Sequence, residues 1–175
     1  MTYQFEILEL IANEELATLD RKTKSEVYRI FDKCVRIFDQ TAQNKDVRLN
    51  IGGSSPVAMV CDKTFPIIAT VLIENAIKYS IHRGEVSVFI SIVNERKARI
   101  EVSNVTARKH SEMPDIFSKG VRGTDDNTGH GFGLHLAQLV ARQHDTCVEL
   151  LREPIDSSSE KFNFYFDLDI ISKSK

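Results

Sequence analysis

Gly129, Gly131 and Gly133 alternate in the run Gly-His-Gly-Phe-Gly-Leu, which ends at Leu134. An amphipathic helical segment follows at once, with Leu136, Ala137, Leu139 and Val140 on one face. Glycines let a backbone approach an anion without a Cβ in the way, and the unpaired N–H groups and dipole of a helix start supply positive potential. Such a turn suits a phosphate, although glycine turns also serve as plain connections. A second group lies upstream in Glu-Asn-Ala-Ile-Lys-Tyr-Ser, residues 74–80. Asn75, Lys78 and Tyr79 stand three and four positions apart, so they share one helical face. They interrupt a core pattern of Ile67, Ile68, Val71, Leu72, Ile73 and Ile77. An Asn on a buried side needs partners for its amide, which a hydrated Mg²⁺ or a phosphate can supply. Lys78 can meet a phosphate as a point charge, and Tyr79 can pack on a base. The same residues also fit a structural arrangement, with Asn75 capping a strand while Lys78 and Tyr79 reach out to water.

The elements that must position these groups follow from the periodicities. Residues 5–19 read as a helix with Phe5, Leu8, Ala12, Leu16 and Leu19 in a seam suited to a bundle, a homodimer or docking on its own domain. Asp20 to Lys24 is polar and is the best hinge. Thr23-Lys-Ser-Glu26 reads as a capping box opening a helix striped with Val27, Ile30, Phe31, Cys34 and Phe38. Val47, Leu49 and Ile51 then alternate as a strand, Gly52 to Pro56 turns, and Val57 to Cys61 forms a second strand. Asp62 or Thr64 is expected to cap the next helix, which runs to about Ser80 with Pro66 in its first turn. Glu85–Val93 and Lys97–Asn104 predict a hairpin. Residues 105–128 are polar and long for a connection, apart from a short turn at Pro114–Phe117. After the glycine helix, strands are expected at about 146–151 and 161–169. These elements predict an α/β two-layer sandwich: a mixed β-sheet covered on one face by three helices, preceded by a short N-terminal helix. The division is 1–22 for that helix and 23–175 for the domain.

Composition sets outer bounds. A chain of 175 residues with a net charge of −2 can bury one core and offers no global attraction for nucleic acid or an anionic membrane. No apolar run reaches the ~20 residues that span a bilayer, and no signal-peptide pattern opens the chain. Cys34, Cys61 and Cys147 have no Cys-x-x-Cys spacing and pair with no histidine as zinc ligands would, so they read as reduced thiols in a cytoplasmic protein.

Asn75-Ala-Ile-Lys78-Tyr79-Ser80, the strand ending at Asn104, Ile116-Phe117 with Lys119 and Arg122, and Gly129-x-Gly131-x-Gly133-Leu134 occur in fixed order. That order resembles the ATP-binding catalytic domain of sensor histidine kinases, in the superfamily of gyrase, heat-shock chaperone and mismatch-repair ATPases. The resemblance covers about residues 23–170. It implies ATP and Mg²⁺ as cofactors, with Asn75 as the metal residue and Lys78 and Tyr79 lining phosphates and adenine. Gly129, Gly131, Gly133 and Leu134 match the turn that holds the phosphate tail, and His130 becomes a lid or phosphate-side contact. Residues 105–128 match the lid, with Lys119 and Arg122 near the γ-phosphate and Phe117 as a packing anchor. Solvated charge on a loop is the plainer reading of the two cations.

Two departures stand out against the resemblance. Val71 replaces the usual polar residue one turn before Asn75, so no catalytic residue is assigned. The first glycine box, normally Asp-x-Gly-x-Gly, is Asn104-Val-Thr106-Ala-Arg108 here. Asn104 can still accept from an adenine amino group, but without charge, which weakens the contact by ~1 kcal/mol. His82, His110, His130, His135 and His144 all lie off any dimerisation helix. The acceptor histidine is therefore expected on a dimerisation domain in the same or a partner chain, and a response regulator as downstream partner. Residues 5–19 would fit the end of that domain's hairpin, which would make the chain a fragment of a longer sensor, the alternative being a stand-alone protein. The alternatives are a degenerate module acting as a docking or regulatory domain, and a serine kinase of the anti-sigma-factor type.

Overall fold

The computed structural model describes residues 23–54, 58–61, 63–108, 115–118 and 132–171. The expected helix at 5–19 lies outside them, and of the expected hinge Asp20 to Lys24 only Thr23 and Lys24 are described, in a strand. Seven strands and three helices follow one another as β1 (Thr23–Glu26), α1 (Val27–Asn44), β2 (Arg48–Gly53), β3 (Ala58–Cys61), α2 (Pro66–Tyr79), β4 (Glu85–Ile92), β5 (Lys97–Ala107), α3 (Gly133–Gln143), β6 (Glu149–Pro154) and β7 (Ser159–Asp169).

Five strands form one mixed sheet in the order β2-β4-β5-β7-β6, with β2 parallel to β4 and the remaining pairs antiparallel. Alternation along each strand sends one set of side chains to the helices. The registers stack these into rows: Val88 opposite Val102 opposite Phe164, then Ile90 opposite Ile100 opposite Phe166. All six are buried. The other face is polar. There Arg99 clasps Asp167 with two hydrogen bonds of 2.7 and 2.9 Å, and Asn163 donates to Glu101 at 2.9 Å.

The helices cover the apolar face. α2 lies between α1 and α3, packing on both. That position explains why its burial is broad, with Ile68, Ala69, Val71, Leu72, Ile73, Ala76 and Ile77 all inside. α1 and α3 flank it and bury one stripe each: Val27, Phe31, Cys34 and Ala42 on α1, and Leu136, Ala137, Val140 and Ala141 on α3.

Several local expectations are corrected. Thr23–Glu26 is not a capping box but a strand, paired antiparallel with β3 from Thr23 opposite Cys61 to Glu26 opposite Ala58. The extended backbone that pairs with β3 is incompatible with a helical first turn at these residues, and α1 starts at Val27 with no side-chain cap. β3 consequently belongs to this separate two-stranded ribbon and not to the main sheet. The long loop also begins later than polarity suggests, because β5 continues to Ala107 along β7. β6 and β7 start at Glu149 and Ser159, joined by a turn in which Asp156 gathers the Ser158 and Ser159 amides. α2 has Phe65 at its N-cap position, without a side-chain cap, and Pro66 in its first turn; Asp62 lies outside the described residues.

Candidate functional site

The core position of α2 fixes the site. Its apolar sides are held by both neighbouring helices and the sheet, which fixes where its less buried residues stand. Asn75, Lys78 and Tyr79 are all half-buried there. The Lys78 ammonium lies 5.1 Å from the centre of the Tyr79 ring, within cation–π range.

The opposite wall is the start of α3. A Cβ built on Gly133 would stand 3.4 Å from Val71 Cγ1 and 4.0 Å from Asn75 Nδ2. The first turn of α3, with its unpaired N–H groups, therefore faces the Asn75 turn of α2. Leu134 anchors that turn by packing on the core. Two segments far apart in sequence, each suited to phosphate, are thus brought face to face. Val71 is buried on the same wall, so a hydrocarbon occupies the position one turn before Asn75.

At the other end of α2, the helix's last carbonyls are taken by a residue that motif reading missed. Lys45, just past the end of α1, donates from Nζ to the Ile77 carbonyl at 2.7 Å and also to the Lys78 carbonyl. Burial pushes its pKa below the usual lysine range, and the neighbouring Lys78 charge adds to the shift. A lone lysine at a helix end carries no signal in the sequence, since its partners are tertiary.

Beyond the cap, Ile81 N donates to the Val105 carbonyl at 2.9 Å and ties the end of α2 to β5. Ser80 and Asn104 flank this tie, 5 % and 2 % exposed respectively. Asn104 continues the inward stripe of Ala98, Ile100 and Val102. Neither Ser80 Oγ nor Asn104 Nδ2 has a hydrogen-bond partner among the described residues. Buried polar atoms are paired in the great majority of cases, so these two unpaired atoms stand out. At a rise of ~1.5 Å per residue, Asn75 and Ser80 are roughly 7.5 Å apart along α2.

The described part of the expected lid, Asp115–Ser118, is a hydrogen-bonded turn in which Asp115 accepts from Phe117 N and Ser118 Oγ. Phe117 packs edge-on against Phe164, ring centres 6.4 Å apart, as an anchor should. Its carbonyl lies 3.0 Å from His135 Nδ1, which joins the turn to α3. Sequence reading had given His135 no role. Lys119, Arg122, Gly129, His130 and Gly131 lie outside the described residues.

Among the described residues no three His, Cys, Asp or Glu side chains cluster as ligands would. Mg²⁺ is commonly held by one or two protein oxygens together with substrate phosphates and water, so a single Asn75 amide beside a phosphate-facing helix start fits that ion.

Residues 66–170 match the family described as histidine kinase-, DNA gyrase B- and HSP90-like ATPases, and the chain belongs to that family. Its fold is also that of several solved histidine kinases. The mycobacterial sensor histidine kinase MprB aligns with a TM-score of 0.75 at 15% identity, over 87% of this chain and 100% of that one. The nucleotide-free catalytic domain of histidine kinase ThkA aligns at 0.70 and 16%, over 85% and 95%. Full-length ShkA in complex with AMPPNP aligns at 0.69 and 17%, over 90% of this chain and 33% of that one. No curated protein matches the sequence. Among the described residues, no helix is long and apolar enough to cross a membrane.

Proposed function

We propose that this chain is the Mg-ATP-binding catalytic domain of a cytoplasmic two-component sensor kinase. In this reading it passes the γ-phosphoryl group to a histidine on a dimerisation domain, in the same or a partner chain, from which a response regulator takes it. The observation that carries the reading is the approach of Gly133 to Asn75, which sets a helix start against an amide at one gap. Asn75 orients the ion, Lys78 offsets phosphate charge, and Tyr79 and Asn104 receive the base. Gly129, His130, Gly131, Gly133 and Leu134 wrap the phosphate tail, with Lys119 and Arg122 over the γ-phosphate. Bound Mg²⁺ would neutralise phosphate charge during transfer. The protein's own part is positioning and electrostatics, which is where most phosphoryl-transfer catalysis resides.

Val71 supports a second element of the reading. A buried hydrocarbon beside Asn75 can neither hold a water nor accept a proton. Turnover is accordingly slow compared with binding, and a docking or regulatory role then uses the bound state.

Calorimetric titration with ATP and ADP, with and without Mg²⁺, tests the proposal beside Asn75→Ala. Magnesium-dependent binding that the variant loses is expected. No heat and no thermal shift at millimolar nucleotide would overturn it.

A further inference from the structure

A lysine in the last turn of a helix can hydrogen-bond that helix's own last carbonyls, because the unpaired oxygens and the dipole draw a cation in. α2 carries such a lysine, Lys78. Its ammonium is not spent there. It stands 5.1 Å from the centre of the Tyr79 ring, and among the described residues it makes no hydrogen bond or ion pair.

The carbonyls are held instead from a different element. Lys45 Nζ donates to the Ile77 carbonyl at 2.7 Å and to the Lys78 carbonyl. Lys45 reaches across from a firm base, the closing turn of α1. There Lys45 N and Val47 N both donate to the Ala42 carbonyl, at 3.1 and 2.9 Å, around Asp46 at φ 56°. The Asp46 carboxylate is drawn to the loop after α2, 3.3 Å from Arg83 Nε and 3.4 Å from His82 Nε2. The two lysines oppose each other: burial pushes the Lys45 pKa down, and the Lys78 charge pushes it further. Two like charges gain little from sharing one pair of oxygens. The lysine anchored by α1 keeps them, and the lysine on α2 itself lies along its neighbour's ring.

We infer that Lys45 is a positioning residue for Lys78: by occupying the last carbonyls of α2 it keeps the Lys78 ammonium off them and free for a ligand phosphate. The ligand half of this rests on the nucleotide-site reading above, and the helix-end half stands apart from it.

The test is a double-mutant cycle on the full chain with Lys45→Met and Lys78→Met, which keep the apolar stems and remove the charges. Thermal melts without nucleotide read the helix end, and calorimetric titration with Mg-ATP reads the ligand. In the wild-type background, Lys78→Met removes only the ring contact and should move Tm little. In the Lys45→Met background Lys78 has taken over the carbonyls, so the same substitution should lower Tm by a further ~2–4 °C, the worth of one hydrogen bond. Affinity for Mg-ATP should fall about tenfold in Lys78→Met, the loss of one charge-assisted contact. It should fall at least about threefold in Lys45→Met, return with Lys45→Arg, and be no lower in the double variant than in Lys78→Met alone.

Equal Tm losses in the two backgrounds would show that Lys45 merely ties α1 to α2, and would overturn the inference. So would a double variant weakened by the full product of the single effects, or wild-type affinity in Lys45→Met. A wild-type chain that binds no Mg-ATP overturns the nucleotide site and with it the ligand half, while the Tm cycle still decides the helix-end half. Should Lys45→Met not fold, Lys78→Met alone decides: a Tm within ~2 °C of wild type supports the inference, and a larger fall shows that Lys78 already holds the carbonyls.

Discussion

Replacing Asn104 with leucine should make the protein more stable and its site useless. Leucine has the branched outline and the number of side-chain heavy atoms of asparagine, and the position lies on the inward stripe of β5 after Ala98, Ile100 and Val102. Its cross-strand neighbours are Val86 and Phe162. No partner among the described residues is lost with Nδ2, because it has none there. Relief of a buried unsatisfied donor is worth ~1–3 kcal/mol. In a domain of this size each kilocalorie moves the midpoint by ~2–4 °C, so Tm should rise by roughly 2–12 °C. Thermal melts without nucleotide measure the first effect and calorimetry with Mg-ATP the second, where affinity should fall at least tenfold. A fall in Tm would mean that the amide is satisfied inside the protein, and the orphan argument would fail. Unchanged ATP affinity would place the base elsewhere.

Two further outcomes follow from other parts of the chain. Gly133→Ala adds a methyl at ordinary contact distance from Val71, at a residue whose φ is not positive, so Tm should hold or gain up to ~1 kcal/mol of helix preference. Mg-ATP affinity should drop nevertheless, since the methyl stands 4.0 Å from the Asn75 amide nitrogen; binding at wild-type strength would show that phosphate does not pass between them. In the β6–β7 turn, hydrogen bonds from the Ser159 hydroxyl and from Ser158 hold the Asp156 carboxyl down to about 2. Its folded pKa lies below the unfolded value of ~3.9, so its stabilisation is complete above that value and is lost as pH falls toward the folded pKa. Carboxyl NMR titration should place it there, Asp156→Asn should flatten the acid limb of stability over that interval, and a midpoint near ~3.9 would refute the turn's hydrogen bonding.

The sandwich could be read from periodicity because its elements are locally consistent: alternating strands, a broadly apolar α2 and a glycine-led α3. The misreadings share a physical origin. Thr23–Glu26 satisfies the pattern of a capping box, yet its backbone pairs with Ala58–Cys61, a contact that no local window contains. Val105 and Thr106 look like loop, but Lys161 and Glu160 opposite them continue the ladder. In the site, residue spacing gave Asn75, Lys78 and Tyr79 one face, and family order joined them to Gly133. The Lys45 cap, the orphaned Ser80 and the His135–Phe117 contact remained hidden, because each is made by packing between elements rather than by spacing within one.

The small ribbon has a mechanical consequence. β1 runs along β3, and at the far end of the domain Ile171 N donates to the Ala58 carbonyl of the same strand. Both ways into the domain therefore converge on four residues outside the main sheet, whereas β5 and β7 are joined along eleven paired positions. Tension arriving along the chain loads that short ribbon before it reaches the strands beneath the gap.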